Sequence, residues 1–160
     1  MSTDLEFIGP NDKPALLAIS TPEWLDAART VLSEIGYKVH AASNHDDFRG
    51  RFGRIQYQVV ILEELFACNA PEDNLTLQHL QAMPASQRRH AVFVLFGSSF
   101  TTLNAMQAFQ QSVHAVINRD ELSLLGPAVL GPIVQRVVAD NDLFLNVYRD
   151  TQLRLAQGKL

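Results

Sequence analysis

The sequence predicts an α/β domain built on a five-stranded, doubly wound parallel sheet, and three observations carry that prediction. Five short, nearly unbroken apolar runs recur along the 160 residues, the pattern of strands covered on both faces. Between them, apolar residues fall at three- and four-residue spacing, which marks helices with one core-facing stripe. Polar or glycine-bearing junctions separate each run from the next segment, so strand and helix alternate and right-handed crossovers follow.

Residues 1–13 mix polar side chains with Gly9 and Pro10 and are expected to form a loose leader. Ala15-Leu16-Leu17-Ala18-Ile19 is the first strand. It stops at Ser20-Thr21-Pro22-Glu23, where Thr21 can cap a helix starting at Pro22, or Ser20 and Glu23 can form a capping box. Leu25, Ala28, Leu32 and Ile35 share one face of that helix, and Gly36 supplies its stop. Trp24, at the helix start, reads as an exposed interaction handle or as half-buried packing.

Residues 37–42 form the second strand, followed by a Ser43 cap and by Asp46 and Asp47, whose carboxylates complement a helix dipole. Phe48, Phe52 and Ile55 face inward there, while Gly50 and Gly53 weaken the helix by about 1 kcal/mol each relative to Ala. Val59-Val60-Ile61-Leu62 is the most β-branched run and is expected at the sheet centre. A polar loop around residues 69–74 leads to a short helix carrying Leu77, Leu80 and Met83, halted by Pro84. Residues 91–96 make strand four. After Gly97-Ser98-Ser99 comes a helix expected to turn Leu103, Met106 and Phe109 inward. Residues 113–117 make strand five, and a last helix starts at Pro127 or Pro132.

Composition narrows the function. The formal charge is −4 and the 13 basic residues are scattered, which leaves no stripe for a phosphate backbone, so no nucleic-acid partner is expected. Cys68 is the single cysteine; it permits neither an internal disulfide nor a cysteine metal cluster and fits a reducing, cytoplasmic setting. No apolar run reaches the roughly 18 to 20 residues of a membrane span, and the first residues lack a secretory signal pattern. His40, His45, His79, His90 and His114 contain no i, i+4 pair, so no zinc site is expected and each reads as a surface or satisfied core residue. Without a glycine-rich phosphate loop or an activated nucleophile, neither catalysis nor a cofactor is expected.

In parallel α/β sheets the working surface lies beyond the carboxyl ends of the strands. The residues at those ends are Ser20-Thr21, Glu63, Phe96-Gly97-Ser98 and Asn118-Arg119. From Pro14 to about Ala139, element order and length resemble the receiver domain of bacterial two-component response regulators, a flavodoxin-like three-layer sandwich. The resemblance implies a paired acidic site for Mg²⁺ after strand one, a phospho-accepting Asp after strand three, Thr or Ser after strand four and Lys-Pro after strand five.

On this sequence the acidic pair falls on Ser20 and Thr21, and the acceptor on Glu63, whose extra methylene spoils the geometry of in-line transfer. Strand four offers Phe96, or Gly97 or Ser98 on a shifted register, and strand five offers Asn118 and Arg119. The resemblance is therefore to degenerate receivers, implying a signalling module that binds proteins without Asp phosphorylation. Glu63 can mimic a phosphorylated Asp or form a solvated or ion-paired strand end, with Arg119 as the expected partner in a bridge worth roughly 0 to 1 kcal/mol.

Two alternatives stand beside that reading. A flavodoxin-like ligand-binding domain would use Ser20, Thr21, Ser98 and Ser99 as an anion cradle, and a phosphorylatable regulator on another alignment would use Glu64 or Asp73. The C-terminal segment adds its own expectation. Leu130, Val134, Val137, Asn141, Phe144, Tyr148 and Leu155 recur along one helical stripe. The expected division is a receiver-like domain over 14–139 and a helical extension over 140–160, with Val134, Val137, Phe144 and Tyr148 as contacts in a homodimer.

Overall fold

The five apolar runs become one parallel sheet in the computed structural model, which describes residues 7–158 apart from the side chains of residues 142–146, 148, 149 and 152. The strands are β1 (Lys13–Ala18), β2 (Tyr37–Ala41), β3 (Val59–Glu63), β4 (Val92–Gly97) and β5 (Ala115–Asn118), in spatial order β2-β1-β3-β4-β5. The central place of β3 follows from its composition: all five residues are buried, and β-branched side chains suit a strand packed on both faces. Its register sets Ala18 beside Leu62 and Glu63 beside Phe96, which brings the ends of β1, β3 and β4 to one mouth.

Among the described residues seven α-helices flank the sheet: α1 (Pro22–Glu34), α2 (His45–Arg54), α3 (Leu75–Ala82), α4 (Ala85–Arg88) and α5 (Ala105–Gln111) lie between strands, and α6 (Arg119–Leu125) and α7 (Leu130–Ala156) follow β5. The period-two alternation of the strands splits the core in two. Leu17, Ile61, Val94 and Ile117 meet Leu32 of α1, Leu122 of α6 and Val134 of α7 on one face. Leu16, Val60, Phe93 and Val116 meet Phe48 of α2, Leu80 of α3 and Ala108 of α5 on the other. At about 25 cal/mol per Å² of apolar area, each of these fully buried large side chains contributes roughly 2 kcal/mol of transfer free energy. Among the described residues, no single helix is long and apolar enough to cross a membrane.

Several expectations need correction. Leu103, Met106 and Phe109 do not face inward; they are 42%, 64% and 80% exposed. Asn104 accepts a hydrogen bond from the Gln107 amide and fixes the start of α5, so Ala108 becomes its buried residue, while Phe100 fills the core ahead of it. The segment before the last helix holds α6, capped by Asn118, and a 3-10 turn at Pro127–Val129, so α7 starts at Leu130 between the two expected prolines. Val134 and Val137 are buried in the chain's own core against the sheet and are not available as partner contacts. Phe144 and Tyr148 lie outside the described side chains. The division expected at residue 140 falls inside the unbroken α7.

Candidate functional site

Where β3 ends, Glu63 turns its side chain across to the β1–α1 junction and is only 3% exposed. Its Oε1 accepts hydrogen bonds from the backbone amides of Ser20 at 2.8 Å and Thr21 at 3.0 Å, and its Oε2 accepts one from the Thr21 hydroxyl at 2.8 Å. These amides immediately precede α1, whose dipole adds positive potential at that end. The carboxylate is thus held by three charge-assisted donors and no cation. The cost of burying a charge is offset locally, and the Glu63–Arg119 bridge does not form: Arg119 opens α6.

Commitment of Thr21 to Glu63 explains a local oddity. Thr21 is the N-cap of α1 yet makes no side-chain capping bond, because its hydroxyl faces the carboxylate. Nor does Ser20 join a capping box; its Oγ accepts the Ala67 amide at 2.7 Å, tying the β3–α3 loop down where Ala67 adopts φ 51°. Asn74, fully buried, donates to the carbonyls of Glu63 and Glu64 and caps α3 through Leu77.

Glu64 fills the space over β4. Its amide donates to the Phe96 carbonyl at 2.8 Å and its Oε1 accepts the Ser99 hydroxyl at 3.1 Å. A Cβ on Gly97 would lie 2.4 Å from Glu64 Oε1 and 2.6 Å from Glu64 Cβ, so only glycine fits there. Phe96 points to the opposite face and packs its ring on Trp24 at 6.0 Å, which makes Trp24 a half-buried packing residue. Asn118 donates to the Phe100 carbonyl at 2.7 Å and caps α6 through Glu121, which leaves it no part at the mouth's acidic centre.

The anion cradle is corrected on the same grounds: no helix starts at Ser98-Ser99, since α5 begins at Ala105, and the Ser99 hydroxyl is directed to Glu64. Asp73 sits exposed in the 3-10 turn Pro71–Asp73. Among the described residues, no group of three His, Cys, Asp or Glu side chains is placed to hold a metal. The mouth also fits a hard divalent cation poorly on chemical grounds, because such an ion needs several free anionic oxygens and both oxygens of Glu63 are engaged. Burial pushes the Cys68 thiol up, and Asp73, Glu63 and Glu64 reinforce that, the reverse of an activated nucleophile.

Three histidines are engaged within the chain. His40 Nδ1 lies 2.8 Å from the buried Tyr57 hydroxyl, and burial pushes that phenol up to about 12. His45 Nδ1 meets the Thr76 hydroxyl at 2.8 Å. His114 Nδ1 accepts a hydrogen bond from the Phe93 amide at 3.0 Å. Sequence reasoning missed Asn74 and the pairing of Glu64 with Ser99. An Asn preceding an apolar helical stripe is a cap signal that could have found the first.

No family model matches the sequence, and no curated protein matches it. Solved structures do. NtrX from Brucella abortus, in complex with ATP, superposes with a TM-score of 0.63 at 15% identity over 86% of this chain. The chain spans only 29% of the length of that protein. A CheY-like response regulator receiver domain protein from Methanospirillum hungatei JF-1 gives a TM-score of 0.62 at 13% identity, covering 82% of this chain and 98% of the other. A response regulator from Thermotoga maritima gives 0.60 at 11% identity, covering 80% and 98%. On these superpositions, and with its five-stranded parallel sheet, this chain has the fold of a response regulator receiver domain.

Proposed function

We propose that the chain is a degenerate receiver of two-component signalling, cytoplasmic and without catalytic activity, that works by binding a protein partner and not by accepting a phosphoryl group. The supporting observation is the closure of Glu63 onto Ser20 and Thr21. In-line phosphoryl transfer needs a free carboxylate oxygen, a cation to neutralise the phosphoryl oxygens and an open approach. Here the carboxylate occupies the anion-friendly amides itself. Ser20 and Thr21 stand where the acidic pair belongs, and Asn118-Arg119 stands where Lys-Pro belongs. Glu63 then serves as a permanent internal substitute for the acquired charge and holds the β1–α1 and β3–α3 junctions in one arrangement.

Partner contact is assigned to the exposed apolar side chains of α5 and its approach, Leu103, Met106 and Phe109, and to Leu124 and Leu125 at the end of α6. Exposed Phe and Met clusters of this kind mark interaction surfaces. A second copy of the chain is assigned to the distal half of α7. That helix extends about 40 Å at 1.5 Å per residue, and beyond Val138 it exposes Val147, Leu153 and Leu155. Incubation with acetyl phosphate and Mg²⁺, followed by intact mass measurement, is expected to leave the mass unchanged. A phosphorylated species that disappears in Glu63→Gln would refute the proposal.

A further inference from the structure

At the amino-terminal ends of β3 and β4, the loops leading into the sheet enclose a groove of about 520 Å³, within the size range of small-molecule sites. Five residues of β3 at about 3.3 Å each put it roughly 16 Å from the Glu63 mouth, at the opposite end of the sheet. Its polar lining is entirely cationic or neutral: Arg49 and Arg54 from α2, His79 from α3, His90 before β4, with Gln56, Ser86 and Gln87. No carboxylate lines it, although the chain is net negative. Among the described residues, Arg49, Arg54 and His79 make no hydrogen bond or ion pair with the protein; the one arginine of α2 that is paired, Arg51, bonds Asp47 on another side of the helix. The floor is apolar, formed by Phe52, Ile55 and Met83.

Two guanidinium groups and an imidazole converging on an apolar floor suit one chemistry. Each guanidinium offers a planar fork of donors that matches a carboxylate or phosphate, and the floor accommodates a small hydrophobic body behind it. Arg49 lies close enough to His79 to hold its imidazole below the ordinary range, after the larger effect of burial. An anion seated between them would act in the opposite direction and favour the protonated imidazole. We propose that this groove is a binding site for a small organic dianion such as a phosphate monoester, an effector site separate from the mouth.

The test is an NMR titration of the chain with phenyl phosphate, with inorganic phosphate and phenol as the anionic and neutral halves of the probe. Saturable shifts are expected for amides between residues 49 and 56 and between 79 and 90, with phenyl phosphate binding more tightly than either half. In Arg49→Gln/Arg54→Gln, both changes at exposed positions, affinity is expected to fall about tenfold or more, since charge-assisted hydrogen bonds are lost. The proposal is overturned if no shift saturates, if the double variant binds as well as the unaltered chain, or if phenol binds as tightly as phenyl phosphate.

Discussion

The two ends of the sheet solve opposite electrostatic problems. At the carboxyl end, Glu63 and Glu64 are buried carboxylates supplied with donors from within the chain, so charge is used up in holding loops together. At the amino end, Arg49, Arg54 and His79 are left without protein partners beside an open groove. Residue type alone therefore does not mark a site. Charged residues that are internally satisfied contribute stability, and those left unsatisfied beside a cavity are available to a ligand.

The comparison can be broken most forcefully at Glu63. Glu63→Ala leaves the Ser20 and Thr21 amides and the Thr21 hydroxyl without their acceptor, and is expected to cost about 3 kcal/mol in urea denaturation. Glu63→Gln keeps an acceptor for the amides and is expected to cost roughly 1 kcal/mol. Equal stability in all three proteins would show that the mouth is not held by this carboxylate. Next comes Gly97→Ala, in which the new methyl meets the Glu64 side chain; a loss of about 2 kcal/mol is expected. Adding Glu64→Ala should recover part of it, and a strictly additive double mutant would contradict the contact.

Tyr57→Phe removes the hydrogen bond to His40 and is expected to cost about 1 kcal/mol. The phenol carries a pH signature as well. Its folded value, about 12, lies above the ordinary 10, so its contribution is complete below pH 10 and is lost as pH rises through 12. Thermal melts across that window should show an alkaline decline that Tyr57→Phe reduces. At the smallest end of the scale, Arg49→Gln/Arg54→Gln should change stability by no more than about 0.5 kcal/mol, because neither side chain has a protein partner to lose. A larger loss would place the amino-end arginines among the structural charges, with Glu63.

Much of the fold was legible because strands buried on both faces write themselves as continuous apolar runs, and Val59–Leu62 does so at the sheet centre. That Ser20, Thr21 and Glu63 stand at the ends of β1 and β3 was legible too, since each follows or closes its apolar run. What they do together was not. A Glu at a strand end reads as solvated or ion-paired, and only the parallel register of β1 with β3 brings Ser20 and Thr21 within hydrogen-bonding distance of it. Helix α5 was misread because Asn104 sets its phase, and a short helix rotated by one cap exposes residues whose spacing alone looks inward-facing. Val134 and Val137 were assigned to a partner because an apolar stripe does not say which surface covers it; the chain's own sheet does. The amino-end groove left no motif, since its residues come from three separate segments.

In the function proposed above, the mouth accepts neither metal nor phosphoryl group because Glu63 already fills it. The most direct measurement follows the Glu63 and Glu64 side-chain carboxyl carbons by NMR while Mg²⁺ and then beryllofluoride are added. Unchanged Glu63 and Glu64 signals at saturating Mg²⁺ and beryllofluoride are the predicted result. A slow-exchanging beryllofluoride complex at either carboxylate, with shifts spreading through Ser20 and Thr21, would contradict the account.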